Sequence, residues 1–251
     1  MTRSIGVSLK MYFGHAAAQA WFGMVADVAR TSRAVQSGAV ELFVIPSFPS
    51  IPGALEAFAG TGVLVGAQDL SWADSGAFTG EVSGAELAEL GVRVAEVGHA
   101  ERRRLFHETD EVVAGKTSAA LRNGLTPVLC IGEEERSAPA IAALEVISQL
   151  DSALEGAPAG RVIVAYEPVW AIGAAEPADA AHISVVTVAL REHLGVIGRE
   201  GSVIYGGSAG PGLLTTLGDS VDGLFLGRFA HEPAALAAVL EEAAVLEGAA
   251  A

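Results

Sequence analysis

The chain has 251 residues, of which 51% are hydrophobic and 18% are charged, and its formal net charge is −15. A chain this apolar folds around a large core and is not intrinsically disordered. Its negative charge repels polyanions, which argues against nucleic acid and against anionic membrane surfaces as partners.

The cysteine content and the N-terminus narrow the class of protein further. Cys130 is the one cysteine of the sequence, so the chain can form no internal disulfide and offers no cysteine cluster for a metal. Its neighbours Val128 and Ile131 indicate a buried core position. The first residues contain no long apolar segment, and no run of about 18 apolar residues follows. We therefore expect a soluble, cytoplasmic protein.

Short apolar segments rich in β-branched residues alternate with longer segments rich in alanine and leucine. The predicted strands cover residues 5–8, 41–45, 63–67, 94–97, 127–131, 161–166, 203–205 and 223–226. The predicted helices cover residues 16–34, 52–58, 83–90, 110–122, 138–154, 178–193, 211–217 and 233–240. Gly60, Gly91 and Gly124 follow three of these helices, as C-terminal capping residues commonly do.

Unalternated strands separated by helices are typical of a parallel sheet covered by helices. Eight such units in about 250 residues predict a closed (β/α)8 TIM barrel of eight parallel strands, one domain covering residues 1–251. An open doubly wound sheet is the alternative on pattern alone. It calls for a glycine fingerprint after the first strand, and residues 8–16 (SLKMYFGHA) do not read G-x-G-x-x-G.

Polar residues that follow the strands are the candidates for chemistry, because a barrel of this kind builds its site at the carboxyl ends of its strands. Lys10 follows the first strand, His99 and Glu101 the fourth, and Glu167 the sixth. A carboxylate, an imidazole and an ammonium group together suit a proton shift next to a carbonyl through an enediolate. The other histidines lack metal-binding spacing.

The ends of the seventh and eighth predicted strands are rich in glycine, at residues 206–208 and at Gly227. Glycine lets the backbone approach a ligand closely, and barrels commonly hold a phosphate at this position. We therefore expect a small phosphorylated sugar as substrate, with no cofactor and no metal.

Five stretches resemble the triosephosphate isomerase family, and the resemblance extends over essentially the whole chain. They are residues 64–83, 96–116 (with GHAERR), 124–134, 164–173 (VAYEPVWAIG) and 204–211 (IYGGSAGP). The resemblance implies that Glu167 is the base, that neutral His99 polarises the carbonyl and that Lys10 holds the developing negative charge. It also implies that Glu101 is a buried partner that orients the residues of the first strand.

The resemblance implies a phosphate site and a mobile lid as well. It assigns phosphate binding to the backbones of Gly173, Ser208 and Gly227. The lid follows the sixth strand, begins at a hinge and closes against the loop after the seventh strand. The implied lid and hinge residues are Pro168, Val169, Trp170, Ala178 and Tyr205.

A homodimer is the expected active form. Residues 69–81 resemble the family's long loop after the third strand, which inserts Thr79 into a second subunit near its Lys10. The same resemblance implies a salt bridge between Glu81 and Arg102.

Several positions depart from the family's pattern. The family's Asn-Trp-Lys-Met is Ser8-Leu9-Lys10-Met11 here, so the amide that donates to the substrate is lost. Its serine after the histidine is Ala100, its lid Thr-Gly-Lys-Thr-Ala is AAEPA at residues 174–178, and its Ser-Val-Lys is SAG at 208–210. The second glycine after the eighth strand is Arg228, which either adds a positive charge beside the anion or points into solvent.

Two substrates fit these departures. The preferred prediction is a divergent isomerase that converts dihydroxyacetone phosphate to glyceraldehyde 3-phosphate. The alternative is a four-carbon phosphorylated ketose such as erythrulose phosphate, because Ser8 and Ala100 enlarge the pocket. A Schiff-base aldolase with Lys10 as nucleophile is disfavoured, since Glu101 favours the charged lysine. Retention of the acid and base residues disfavours a non-catalytic binding protein.

Overall fold

The structure is a computed structural model that describes residues 2–174 and 176–248. Ala175 of the predicted lid and the two ends of the predicted domain, at 1 and 249–251, lie outside the described residues.

Eight parallel strands form a closed barrel in chain order, which confirms the predicted (β/α)8 architecture. The strands are β1 (Arg3–Ser8), β2 (Val40–Ile45), β3 (Leu64–Ala67), β4 (Val94–Val97), β5 (Thr126–Ile131), β6 (Val162–Tyr166), β7 (Gly201–Tyr205) and β8 (Gly223–Leu226). The barrel closes where β8 pairs with β1, with Gly223 opposite Ser4 and Leu226 opposite Val7. The open-sheet alternative is therefore wrong.

Helices connect the strands and cover the outside of the barrel. They are α1 (His15–Thr31), α2 (Arg33–Gln36), α3 (Ile51–Ala57), α4 (Gly84–Leu90), α5 (Ala100–Phe106), α6 (Asp110–Arg122), α7 (Pro139–Ala153), α8 (Ala180–Val196), α9 (Leu213–Leu217) and α10 (Pro233–Leu246). The prediction of one helix over residues 16–34 is wrong. Ser32 has an extended backbone that ends α1, and its hydroxyl accepts from the N–H of Val35 to begin α2.

The sequence gives no helix prediction for α5. Four consecutive residues, 101–104, are charged, and none of the seven residues of α5 is buried. The segment therefore has no apolar stripe of the kind that predicts a helix.

Two apolar cores result, one between the strands and the helices and a smaller one inside the barrel. Alternate residues of each strand point inward. The inner core consists of Phe43, Ile45, Val94, Val128, Cys130, Ile163, Ala165, Ile204 and Phe225. Cys130 is buried with a free thiol, as predicted.

Polar residues close the barrel at its two ends. At the amino end, the Arg161 guanidinium donates to both carboxylate oxygens of Glu41 at 2.9 and 2.7 Å. The carboxyl end holds the residues of the candidate site. None of the helices in residues 2–174 and 176–248 is both long and apolar enough to cross a membrane.

Candidate active site

Glu167 follows β6 and projects into the carboxyl end of the barrel. Its N–H donates to the carbonyl of Ile131 at 2.8 Å, which fixes the backbone of Glu167 against β5. A Cβ at Gly206 would lie 2.4 Å from Cγ of Glu167, so the glycine after β7 leaves the space that the carboxylate fills. Oε2 of Glu167 lies 3.6 Å from Nε2 of His99, and both atoms are buried without a hydrogen-bond partner among the described residues.

The backbone that begins α5 fixes the tautomer of His99. Nδ1 of the ring accepts a hydrogen bond from the N–H of Glu101 at 3.0 Å. A ring nitrogen that accepts carries no proton, so the neutral ring carries its proton on Nε2. His99 therefore presents an N–H donor to the space in front of Glu167.

Lys10 has a strained backbone with φ of +48°, in the left-handed region that side-chain-bearing residues seldom adopt. The side-chain amide of Gln68 donates to the Lys10 carbonyl at 2.9 Å and holds this conformation. The lysine Nζ donates to Oε1 of Glu101 at 2.8 Å. Burial lowers the pKa of Lys10, but this hydrogen bond and the charges of Glu167, Glu101 and Glu96 outweigh it, so the pKa is raised and the ammonium stays charged.

Glu101 contacts Lys10 but is not the predicted buried partner of the first strand, since 41% of its side chain is exposed. The reason is its place on α5, which lies outside the barrel and buries no residue. The buried carboxylate is Glu96 on β4, whose Oε2 accepts from the Ser8 hydroxyl at 2.8 Å. Burial, reinforced by the negative charge of Glu167, raises the pKa of Glu96 even though His99, Ser8 and Lys10 oppose the shift.

Glu96 was not among the predicted site residues, although its position in the sequence carries a signal. A glutamate stands in an otherwise apolar predicted strand, VAEV at 94–97. It alternates with Val94, so both side chains point into the barrel.

A buried polar cluster anchors the predicted first hinge. Glu133, which is fully buried, accepts from the Trp170 indole N–H at 2.9 Å and from the Tyr166 hydroxyl at 3.1 Å. His182 on α8 lies 3.1 Å from the same carboxylate. Pro168 precedes a short 3-10 helix at Val169–Ala171, and the carbonyl of Glu133 accepts from the Val169 N–H at 3.0 Å. Glu133 and Tyr166 were not predicted from the sequence, because only the fold brings them under the hinge.

The far part of the predicted lid lies against the loop after β7. The Ala178 N–H donates to the Tyr205 hydroxyl at 3.1 Å, and the Ser208 hydroxyl donates to the carbonyl of Ala174 at 2.5 Å. Burial raises the pKa of Tyr205 to about 12, so the hydroxyl keeps its proton. Gly173 occupies the left-handed region with φ of +74°.

The residues predicted to bind phosphate surround this lid. Gly227 follows β8 and leads into the 3-10 helix Arg228–His231. A Cβ on Gly173 would lie 3.8 Å from Nη2 of Arg228. Arg228 is exposed, its guanidinium lies beside the lid, and it has no carboxylate partner among the described residues. Its positive charge therefore lies next to Gly173, one of the residues predicted to bind phosphate.

The predicted loop residues Thr79 and Glu81 are both exposed. The predicted salt bridge between Glu81 and Arg102 is not formed within the described chain. Arg102 instead pairs with Asp69 at 2.8 Å and with Glu108 at 2.5 Å, because these buried carboxylates lie against α5 and α6. Lys116 joins the same cluster through Asp69 and Glu108, each at 2.6 Å.

No group of three or more histidine, cysteine, aspartate or glutamate side chains in the described part of the chain is arranged to hold a metal ion.

Comparisons with known proteins agree with this geometry. The family model of triosephosphate isomerase matches residues 3–243. The chain is 54% identical to the L-erythrulose-1-phosphate isomerase of Pectobacterium atrosepticum, over 97% of this chain and 96% of that protein. It is 39% identical to the L-erythrulose-1-phosphate isomerase of Brucella abortus over 90% of each chain. It is 36% identical to a triosephosphate isomerase of Synechococcus sp., over 92% of this chain and 93% of that protein.

Together with the closed barrel, these matches place the chain among the isomerases of sugar phosphates. The chain belongs to the triosephosphate isomerase family.

Proposed function

We propose that the chain isomerises a four-carbon ketose phosphate, L-erythrulose 1-phosphate. The observation that carries this proposal is the 54% identity, over nearly the full length of both chains, to a protein of that name, against 36% to a triosephosphate isomerase. The small side chains of Ser8 and Ala100 also support the four-carbon substrate, because they leave room for a longer molecule. The four-carbon interpretation is therefore preferred to conversion of dihydroxyacetone phosphate.

The reaction moves the carbonyl by one carbon. L-Erythrulose 1-phosphate has its carbonyl at C2 and a hydrogen on C3. Glu167 takes the C3 proton, and the electrons of the C3–H bond form the C2–C3 double bond of an enediolate. The former carbonyl oxygen gains negative charge, which the Nε2–H of His99 and the Lys10 ammonium stabilise.

The proton returns to C2 while the O3 hydroxyl proton passes to O2. The product is a ketone at C3, which is erythrulose 4-phosphate when numbered from the other end. No atom is lost and no oxidant is needed. A triose phosphate would follow the same steps with a hydrogen in place of the terminal hydroxymethyl group.

The backbones of three residues and one guanidinium bind the phosphate. They are those of Gly173, Ser208 and Gly227, and that of Arg228. The lid excludes water, and so suppresses elimination of phosphate from the enediolate.

We also propose that the protein is one domain that acts as a cytoplasmic homodimer. Exposed apolar side chains around the β1, β3 and β4 loops support an interface there. They are Met11 (94% exposed), Trp72 (45%), Phe78 (39%) and Phe106 (63%). The exposed Thr79 lies on the same β3 loop, as insertion into a second subunit requires.

Initial-rate measurements on the purified protein test the substrate. We expect kcat/KM for L-erythrulose 1-phosphate to exceed that for dihydroxyacetone phosphate by about 100-fold, the discrimination that one pocket-filling group provides. A preference for the triose would overturn the proposal.

A further inference from the structure

We infer that Glu96, held by Ser8, recognises the terminal hydroxymethyl group of the four-carbon substrate and thereby sets substrate choice. This inference rests on the proposed function and deepens it. It names the residue that distinguishes a tetrulose phosphate from a triose phosphate.

The position of Glu96 in the barrel fits this role. The phosphate-binding residues follow β6, β7 and β8, and in a closed barrel of eight strands β4 lies across from β8. A substrate with its phosphate at Gly227 and its reacting carbons at Glu167 and His99 extends its far end toward β4. Of the two inward-facing residues of β4, Glu96 is the one nearer to the carboxyl end of the strand and to His99.

The side chain of Glu96 is as deeply buried as the side chains of His99 and Glu167. Its side chain is 4% exposed, against 5% for His99 and 10% for Glu167. Its Oε1 lies 4.0 Å from Nε2 of His99, the donor that must reach the substrate. A group bound between His99 and Glu167 therefore also meets Glu96.

The carboxylate is only half satisfied. Ser8 donates to Oε2, while Oε1 accepts no hydrogen bond from any described residue, and no arginine or lysine of the described chain lies within salt-bridge distance. Glu41, the carboxylate at the other end of the barrel, is held at both oxygens by Arg161. Ser8 thus occupies one carboxylate oxygen, and Oε1 is left free to accept a hydrogen bond from a ligand.

The terminal hydroxyl of the four-carbon substrate is such a donor. A triose phosphate has a hydrogen at that position and leaves Oε1 unpaired. A site built to hydrogen-bond a substrate hydroxyl discriminates strongly against an analogue that lacks this hydroxyl. Ser8 contributes by holding Oε2, which directs Oε1 toward the substrate, and by occupying little space itself.

The test compares two substrates in three variants. Glu96→Leu removes the acceptor, Glu96→Gln keeps a weaker one, and Glu41→Gln is the matched control at the opposite end of the barrel. We expect Glu96→Leu to lower kcat/KM for L-erythrulose 1-phosphate by about 10- to 100-fold, as loss of a hydrogen bond to a charged group does. The value for dihydroxyacetone phosphate should fall less, so that the ratio of the two values changes by about tenfold, since the triose makes no such bond. Any effect of the lost Glu96 charge on His99 and Lys10 is common to both substrates.

Glu96→Gln should give a smaller change of the same sign, and Glu41→Gln should leave the substrate ratio unchanged. No arginine or lysine of residues 2–174 and 176–248 lies within salt-bridge distance of Glu96, so neither Glu96→Leu nor Glu96→Gln leaves a buried cation unpaired, and both of these variants should fold. If Glu96→Leu does not fold, Glu96→Gln carries the test.

Equal losses on both substrates, or an unchanged ratio, would overturn the inference while the proposed function stands. A wild-type protein that prefers the triose would overturn both.

Discussion

Oε2 of Glu167 and Nε2 of His99 face each other across 3.6 Å, and neither has a hydrogen-bond partner among the described residues. The separation is too long for a good hydrogen bond between them. A buried acceptor and a buried donor left open toward one space are what a base and an electrophile need. We propose that the substrate supplies the missing partner of each atom.

Shortening the base tests its role. Glu167→Asp should retract the carboxylate by about 1 Å and lower kcat on the order of 100-fold. Glu134→Gln, which alters an exposed carboxylate after β5, is the control and should retain full activity. Initial rates on L-erythrulose 1-phosphate measure both, and an Asp variant with wild-type kcat would remove Glu167 from the reaction.

Replacing Lys10 by glycine should lower the activity of the protein without lowering its stability. Its φ of +48° suits glycine, so Lys10→Gly relieves strain worth about 1 kcal/mol. The lost ion pair with half-exposed Glu101 offsets little of this gain. We expect urea unfolding to show equal or higher stability while turnover falls by about 1000-fold, the scale of a lost transition-state contact. A marked loss of stability would show that the left-handed backbone is not strained.

The Arg228 side chain should contribute to binding of the substrate phosphate. Arg228→Ala should raise KM, and the inhibition constant of inorganic phosphate, by about tenfold each, because a charge-assisted hydrogen bond is lost. Arg30→Ala, on the exposed face of α1, is the matched control. Unchanged inhibition by phosphate would place the Arg228 side chain outside the anion site.

The lid contact at Tyr205 should protect the intermediate. Tyr205→Phe removes the hydroxyl that accepts from the Ala178 N–H, so the lid should close less completely. We expect kcat to fall by about 5- to 10-fold, as for one hydrogen bond, and more inorganic phosphate to be released per turnover. Tyr12→Phe is the control, since Tyr12 is 57% exposed. Phosphate release at the wild-type level would argue against a lid held by Tyr205.

Glu96 should make the stability of the protein depend on pH. Its pKa in the folded state lies above the ordinary 4.5, so the folded protein binds this proton more tightly than the unfolded chain. Stability from this group is thus present below pH 4.5 and is lost as the pH rises through the folded pKa. Glu96→Gln removes that loss, so its stability relative to wild type should grow over this range. A constant difference between the two unfolding free energies would contradict the raised pKa.

The sequence was sufficient to predict the barrel and the position of Lys10, His99 and Glu167 after the ends of strands. Strand patterns depend on local apolar runs, and Lys10, His99 and Glu167 follow such runs directly. Helix α5 was not predicted because its charged residues leave no apolar stripe. The break at Ser32 was not predicted because a single capping serine interrupts an otherwise helical pattern.

Relationships across the barrel were harder to predict. Glu96 and Ser8 are far apart in the chain, and only closure of the sheet brings their oxygens to 2.8 Å. The partners of Arg102 within the chain were missed for a similar reason, because packing of α5 and α6 brings Asp69 and Glu108 to Arg102. Buried polar pairing depends on tertiary contacts that a single sequence does not display.

Isotope exchange most directly tests the claim that Glu167 isomerises the substrate through an enediolate. The proton that Glu167 removes exchanges with solvent before a proton returns to the substrate. We would incubate the protein with L-erythrulose 1-phosphate in deuterium oxide and follow the carbon-bound hydrogens by NMR. The account predicts erythrulose 4-phosphate with deuterium at the carbon that bore the original carbonyl, and loss of this exchange in Glu167→Gln. Turnover of dihydroxyacetone phosphate with no deuterium entering the four-carbon sugar would contradict it.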